Sequence, residues 1–291
     1  MRLFAVSVVR NEADVIEPFV RHNLSLLDEL TIVDHASIDA TSGILSRLAG
    51  EGLPLRLIRE DAAGFFQAEW LTALAREAFL RDGADFVFPI DADEFIKAES
   101  RAAIEEELSD LPADAHAVVR WLTYVPQSFD GGRAFGPSYL RWRLKHERQR
   151  SYKCVIGRSF ARRGAQYIVS GNHLVDDPTQ TKPPLHIRLR AGKLALAHCP
   201  VRSAEQLERK VRLGYPAHQA TEPANDRQAH HWRALYEELA LGERLTRARL
   251  REIACNYGLP REQWSPADAA ELVEDPVPLA STGHHIRPQA R

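Results

Sequence analysis

The chain has little of several things, and each shortage excludes a class. No stretch reaches the roughly 18 consecutive apolar residues a spanning helix needs, so no transmembrane segment is expected and any membrane contact is peripheral. Cysteine is scarce: Cys154, Cys199 and Cys255 form neither a C-x-x-C pair nor an even set, which argues against a disulfide framework and suits a reducing compartment. An excess of either charge is also missing. Lysine and arginine total 38 against 40 aspartates and glutamates, a formal net charge of −2. The overall field therefore gives no reason to expect nucleic acid as a partner. In the opening residues, MRLFAVSVVRNEADVIEP, Asn11, Glu12 and Asp14 cut short the apolar run and no small-residue cleavage site follows. A buried first strand is expected there rather than a secretory signal, and the cytoplasm, with the inner membrane face as its peripheral station, is the expected location.

What is present reads as a soluble globular protein: 291 residues, 44% hydrophobic and 27% charged. At roughly 150 residues per domain this allows one large domain or two modest ones. Residues 3–9 are a continuous β-rich apolar run, as in a strand covered on both faces. Asn11 is expected to cap the helix that follows, with Asp14 in its first turn and Val15, Ile16, Phe19, Val20 and Leu24 at helical spacing. The pattern repeats with strand 30–33, a helix from Asp39 to Leu48, strand 55–58, helix 67–80 and strand 85–90. Such alternation predicts an α/β fold with parallel pairing and right-handed crossovers. Ligands of open α/β sheets lie at the carboxyl ends of the strands, so Asn11, Asp34 and Asp91 should share one crevice.

Beyond residue 111 the texture becomes β-rich, with strands expected over 118–124, 140–144, 153–160 and 167–169, separated by turns such as Asp130-Gly-Gly and Phe135-Gly-Pro. Helices are expected over 202–213, with Ser203 as cap and Gln206 three residues on, and near 226–241 and 246–256. From about Pro276 the chain is Pro-rich and aperiodic, which predicts a mobile tail.

The sharpest chemical signal is Asp91-Ala92-Asp93 at the end of an apolar strand. Two carboxylates there, with few lysines nearby in the sequence, would repel unless a hard cation such as Mg²⁺ or Mn²⁺ neutralised them; such ions commonly bridge carboxylates and substrate phosphates. Set against this is the plain reading of a short acidic turn.

Three blocks carry a resemblance: Val8-Val9-Arg10-Asn11-Glu12 before a helix, Val33-Asp34-His35-Ala36-Ser37-Ile38-Asp39-Ala40-Thr41, and Phe88-Pro89-Ile90-Asp91-Ala92-Asp93-Glu94-Phe95. In order and spacing they resemble the family 2 glycosyltransferases of GT-A fold, in the bacterial branch that writes its second block D-x-x-S-x-D-x-T. The resemblance is strong over about the first hundred residues. It implies a Rossmann-like, mostly parallel sheet flanked by helices, with a nucleotide-sugar half over 1–111, a β-rich acceptor half over 112–225, a helical segment over 226–275 and a tail over 276–291. It also implies a metal-dependent, inverting transfer of a sugar from a nucleoside diphosphate donor, a UDP-sugar first, to a hydroxyl of a glycan, glycolipid or glycoprotein.

By that resemblance Val9, Arg10 and Asn11 border the nucleotide, Asp34 meets base or ribose, and Asp39 shapes the turn and caps the next helix. His35 stands where the commoner pattern has a second acid, and Ala36 and Ala40 stand where it has glycine. Asp93 is the expected ligand of Mn²⁺ or Mg²⁺, Asp91 a ribose or second metal contact, and His198 the residue that returns from the carboxyl-terminal part to complete the site. Glu94 is a further metal candidate. Arg202 and Lys210 are candidate diphosphate partners, against the plain reading of a solvated helix face. Lys153 and His173 are candidates for the donor or acceptor pocket; Gln67 for facing the donor, with Trp70 in the core. A metal ion acts in such a site as Lewis acid on the leaving phosphate. The general base that an inverting transferase needs is left open among Asp130, Glu147, Asp176 and Asp177.

Other readings fare worse. A sugar-nucleotide pyrophosphorylase would want a glycine-rich loop after the first strand, where Val-Val-Arg-Asn-Glu stands. A haloacid-type phosphatase would want aspartates there. A non-catalytic nucleotide-sugar or glycan-binding module is kept alive by His35. Arginine- and alanine-rich usage suggests a bacterial surface-glycan role.

Overall fold

The computed structural model describes residues 1–62, 64, 66–130, 134–148, 152–221 and 226–279, with backbone alone at 218, 220, 221 and 226–231. The amino-terminal part runs β1 (Leu3–Val9), α1 (Ile16–Leu26), β2 (Glu29–His35), α2 (Thr41–Gly50), β3 (Leu55–Glu60), α3 (Gln67–Leu80), β4 (Phe86–Pro89), β5 (Glu94–Ala98) and α4 (Arg101–Ser109). There follow β6 (His116–Thr123), β7 (Trp142–Leu144), β8 (Tyr152–Gly157), α5 (Ser159–Arg162), β9 (Tyr167–Ile168), β10 (Val175–Asp176), β11 (His186–Arg188) and β12 (Leu194–His198). The chain closes with α6 (Ala204–Thr221), α7 (Asp226–Ala240), α8 (Arg247–Cys255) and β13 (Leu272–Glu274).

One mixed sheet has the order β3-β2-β1-β4-β8-β6-β12-β5, with β11 also on β6. The α/β alternation read from the sequence is realised: β1, β2, β3 and β4 pair in parallel, whereas β8 is antiparallel to both β4 and β6. Every residue of β1 is buried, and strand alternation divides them between two cores. Leu3, Ala5 and Val9 face Ile16, Phe19 and Leu24. Phe4, Val6 and Val8 face Leu71, Leu74 and Ala75 of α3. A third core joins Leu207 and Val211 of α6 to Leu235, Leu239, Leu250 and Ile253. Among the described residues no helix is long and apolar enough to cross a membrane.

Several expectations need correction. Asn11 does not cap α1, which starts at Ile16 after Val15 with no side-chain cap. Instead Asn11 sits at φ 56 and its Oδ1 accepts the N–H of Ile38 at 2.8 Å and of Asp39 at 3.3 Å. A short amide side chain tolerates the left-handed region, and the turn amides of the next unit are the donors within reach. Asp39 does not occupy the cap position of α2, which falls to Ala40 with no side-chain cap, but it stands one residue ahead and accepts the Thr41 N–H at 2.9 Å. The strand expected over 153–160 stops at Gly157, where a Cβ would lie 2.5 Å from the Ala115 carbonyl oxygen, and α5 follows. α6 runs past the expected end at 213 to Thr221, through Pro216. The start of the expected tail is packed: Val277 is buried and bonds the Leu140 carbonyl at 2.9 Å, because β13 pairs with β7 and carries the chain back to the body. The rest of that tail, from 280, lies outside the described residues.

Candidate active site

Parallel register sets Val9 opposite Asp34 and Val6 opposite Pro89, so Asn11, Asp34 and Asp91 follow the carboxyl ends of neighbouring strands. The order reverses between β1 and β4, the position where open α/β sheets leave a crevice for a ligand. A second pairing closes it. β12 is antiparallel to β5 with His198 opposite Glu94, and the Cys199 N–H bonds the Asp93 carbonyl at 3.0 Å. The β12–α6 connection is thereby fastened to the acidic turn.

Two acid centres result. Asp93, with a side chain only 2% exposed, accepts from Lys210 Nζ at 2.7 Å and lies 3.5 Å from His198 Nε2 and 3.7 Å from an Arg202 guanidinium nitrogen. Arg202 is itself buried, gripped by Glu12 and, at 2.6 Å, by Asp14. Asp91 accepts at Oδ1 from Gln67 at 2.9 Å and Asn172 at 3.2 Å, and at Oδ2 from Lys153 at 2.6 Å. Lys153 also meets the buried Glu94 at 2.9 Å, and Glu94 accepts the Asp91 N–H at 2.9 Å.

The electrostatics follow from burial set against pairing. Burial alone would raise Asp93, but Lys210, His198 and Arg202 hold it well below the usual carboxylate range. Burial would lower Lys210 and Lys153, yet Asp93 for one and Asp91 with Glu94 for the other keep both ammonium groups charged. Burial pushes Glu94 up to about 8, offset only in part by Lys153, and pushes His198 down to about 4 against the pull of Asp93. Glu12 is also raised, by burial, against Arg202 and Lys210.

Of the expected donor residues, Arg10 has a buried Nε without a partner, while the Val9 side chain belongs to the core. Asp34 is buried and accepts from Ser42 Oγ and, at 3.3 Å, from the Ser37 N–H. His35 turns away from the crevice, bonding the Ala62 carbonyl at 2.8 Å with its ring 4.9 Å from Trp70. His173 holds the Tyr152 carbonyl at 2.8 Å. Among the base candidates, Asp130 pairs with Arg247, Asp176 accepts from Tyr167 and the Asp177 N–H, and Asp177 closes a turn on Thr179 and Gln180. Glu147 differs. It accepts from the Thr123 N–H at 2.6 Å and Oγ1 at 2.9 Å, burial raises it, and it lines a small cavity with Trp121, Arg148 and Tyr257. The Trp121 ring lies 4.1 Å from His198 and 6.3 Å from Tyr257, which joins that cavity to the Asp93 centre.

Sequence reasoning missed Glu12, Asp14, Asn172, Trp121 and Tyr257. Asn172 left a readable trace in the Gly171-Asn172 dipeptide, which stands at φ 79 and 61.

Asp91, Asp93 and His198 do not meet at one point: Asp93 and His198 share one centre, while Asp91 belongs to the Lys153 centre. Among the described residues no group of three or more His, Cys, Asp or Glu side chains is placed to hold a metal ion. The carboxylate oxygens that would ligate one already face ammonium, guanidinium and amide donors. As folded, Asp91 and Asp93, the one or two carboxylates that Mn²⁺ or Mg²⁺ would take beside substrate phosphates and water, each already face a lysine ammonium, so this donor set does not fit either ion.

No protein-family model matches the chain, and no curated protein matches it. Among solved structures it is similar to TarS 1–349 of S. aureus, at 11% identity and TM-score 0.39 over 87% of this chain and 85% of that one. It is also similar to the mannosyltransferase PcManGT from Pyrobaculum calidifontis in complex with GDP-Man and Mn²⁺, at 17% identity and TM-score 0.43 over 83% and 74%. A third is glucosyl-3-phosphoglycerate synthase from Mycobacterium tuberculosis with Mn²⁺ and UDP, at 18% identity and TM-score 0.28 over 41% and 44%. The functional reading rests on this chain's own side chains.

Proposed function

We propose that this chain transfers a sugar from a nucleoside diphosphate sugar, a UDP-sugar first, to a hydroxyl acceptor, with inversion. The supporting observation is the paired acid centre at the strand-order reversal, ringed by Lys153, Arg202, Arg209 and Lys210. Cations at such a crevice suit a diphosphate, and acids beside them suit sugar and ribose hydroxyls. Asn11 and Asp34 shape the nucleotide end, with Arg10 Nε as an unused donor. Arg209, which bonds the Asn11 carbonyl at 3.2 Å, and Lys210 lie toward the diphosphate.

In the reaction the anomeric C–O bond to phosphate breaks and its electron pair stays on the phosphate oxygen. The acceptor oxygen forms the new bond from the opposite face, and its proton passes to a carboxylate. Glu147 is the base this reading selects, because it is half-buried in the cavity beside Trp121 and Tyr257, and its raised pKa suits a group that must take up a proton. No step is routed through a metal. A role in surface glycan or glycoconjugate assembly, from the cytoplasm, remains part of the proposal, as does the division near residue 111 into donor and acceptor halves.

The test is thermal melting of the full chain with UDP, GDP, CDP and dTDP. A ligand held only by the folded state stabilises it by about 2.7 kcal/mol at a hundredfold excess over Kd, so one of the four should raise the midpoint. Four flat responses, with and without MnCl₂, would sink the reading.

A further inference from the structure

We infer that side-chain ammonium groups, Lys210 above all, hold the place of the divalent ion at Asp91-Ala92-Asp93, so that the nucleoside diphosphate is bound without a metal. The inference rests on the nucleotide-sugar reading and deepens it. Its ground is the set of groups already facing the two carboxylates.

Asp93 and Asp91 each carry a lysine at hydrogen-bond distance, 2.7 and 2.6 Å, delivered from 117 and 62 residues away. The two lysines differ in access. Lys153 is 3% exposed and clamped between Asp91 and Glu94, with its ammonium 5.7 Å over the Trp121 ring. It is a fixed counter-charge. Lys210 is 22% exposed, so unlike Lys153 its side chain reaches the surface beside Asp93, and its three N–H donors exceed what one carboxylate oxygen uses. Arg202 stands behind Asp93, held by Glu12 and Asp14. Asp93 therefore keeps a positive neighbour when Lys210 leans toward a phosphate. Arg209, next along α6 and 28% exposed, extends the positive edge to Asn11 and Asp39.

A dication brought to Asp93 would meet Lys210 and Arg202 as like charges at contact range and would have to displace one of them. In this arrangement Lys210 donates to the diphosphate oxygens, carrying the charge that a metal would otherwise carry as the phosphate leaves. Asp93 is then a positioning residue that keeps the Lys210 ammonium charged and aimed.

Calorimetric titration of the full chain with UDP, GDP, CDP and dTDP, in EDTA and in MnCl₂, tests this. The nucleotide that binds should do so with Kd values within about threefold of each other in the two buffers. Electron paramagnetic resonance of added Mn²⁺ should show all of it free. Losing one charge-assisted hydrogen bond costs about tenfold or more in affinity, so Lys210→Met should weaken binding in EDTA by that factor, while Lys210→Arg largely restores it. Binding only in MnCl₂, with Mn²⁺ uptake abolished by Asp93→Asn, would overturn the inference and leave the nucleotide reading intact. Binding in neither buffer would overturn both. Unchanged affinity of Lys210→Met in EDTA would remove Lys210 from the role. Should that variant fail to fold, the two-buffer comparison on the unaltered chain decides.

Discussion

The two halves of the chain bring opposite charges to the same place. Glu12, Asp14, Asp91, Asp93 and Glu94 come from the first hundred residues, whereas Lys153, Arg202, Arg209 and Lys210 come from beyond residue 150. The amino-terminal half ties its loops to the neighbouring unit or to themselves, as Asn11 does with 38 and 39, 27 and 28 residues on, and Asp39 with Thr41. The carboxyl-terminal half reaches across 60 residues or more to make its contacts. Neither half has a balanced site by itself. Closure of β12 and α6 over the acidic turn is thus an electrostatic event as much as a packing one.

The largest test of this division is Arg202→Met. It leaves Glu12, Asp14 and Asp93 facing one another without their shared guanidinium, and removing one partner from a buried ion pair typically costs about 3–5 kcal/mol. Urea denaturation should show a loss of that size. A loss near that of a surface pair, about 0–1 kcal/mol, would mean that charge does not join the halves.

The same division explains what could be read in advance. Every strand and helix from β1 to β4 was legible, α3 to the residue, because apolar periodicity is local. β5 was not, since its residues read as part of the acidic turn and its partner β12 lies a hundred residues on. Asp91 and Asp93 were legible as a pair of carboxylates, but their counter-ions were not: the basic residue nearest in sequence, Lys97, pairs with Asp275 instead, and a divalent ion was the economical inference. Arg202 and Lys210 were legible as diphosphate candidates but not as partners of Asp93, because the place of α6 depends on where β12 leads it. His35 and Ala36, the departures from the commoner pattern, turn out differently from each other. His35 fills space against Trp70, whereas Ala36 stands at φ 50, a position suited to glycine.

A second test uses pH, and its weight falls on the carboxyl-terminal half. Burial lowers His22 in the amino-terminal half, but also His116, His173, His186 and His198, with His116 and His198 at about 4. Neutral in the fold and near 6.5 when unfolded, these groups leave stability intact above about pH 6.5 and withdraw it as pH falls toward 4. His116 and His198 should each remove about 2 kcal/mol by pH near 5. Glu94 has the opposite sign: pushed up to about 8, it favours the fold at low pH and ceases to as pH rises through that value. Urea midpoints across this range should therefore fall on both sides. A flat acid limb would contradict the burial of those imidazoles.

The smallest test belongs to the amino-terminal loops. Ala36→Gly removes a Cβ from a left-handed residue and should raise stability by up to about 1 kcal/mol in the same assay. A loss would show that the alanine methyl is worth more as packing than it costs as strain.

Ala36 has two companions. Among the described residues the non-glycine positions with positive φ are Asn11, Ala36 and Asn172, and each lies beside a strand-end acid or its amide partner. Backbone held against its own preference stays put only when its surroundings leave it no alternative. On the proposed nucleotide-sugar reading, the crevice is consequently set before any nucleotide arrives. Capture of the donor should then be governed by the frequency of well-oriented encounters, with little slow rearrangement afterwards, and the rate of binding should scale linearly with nucleotide concentration rather than level off.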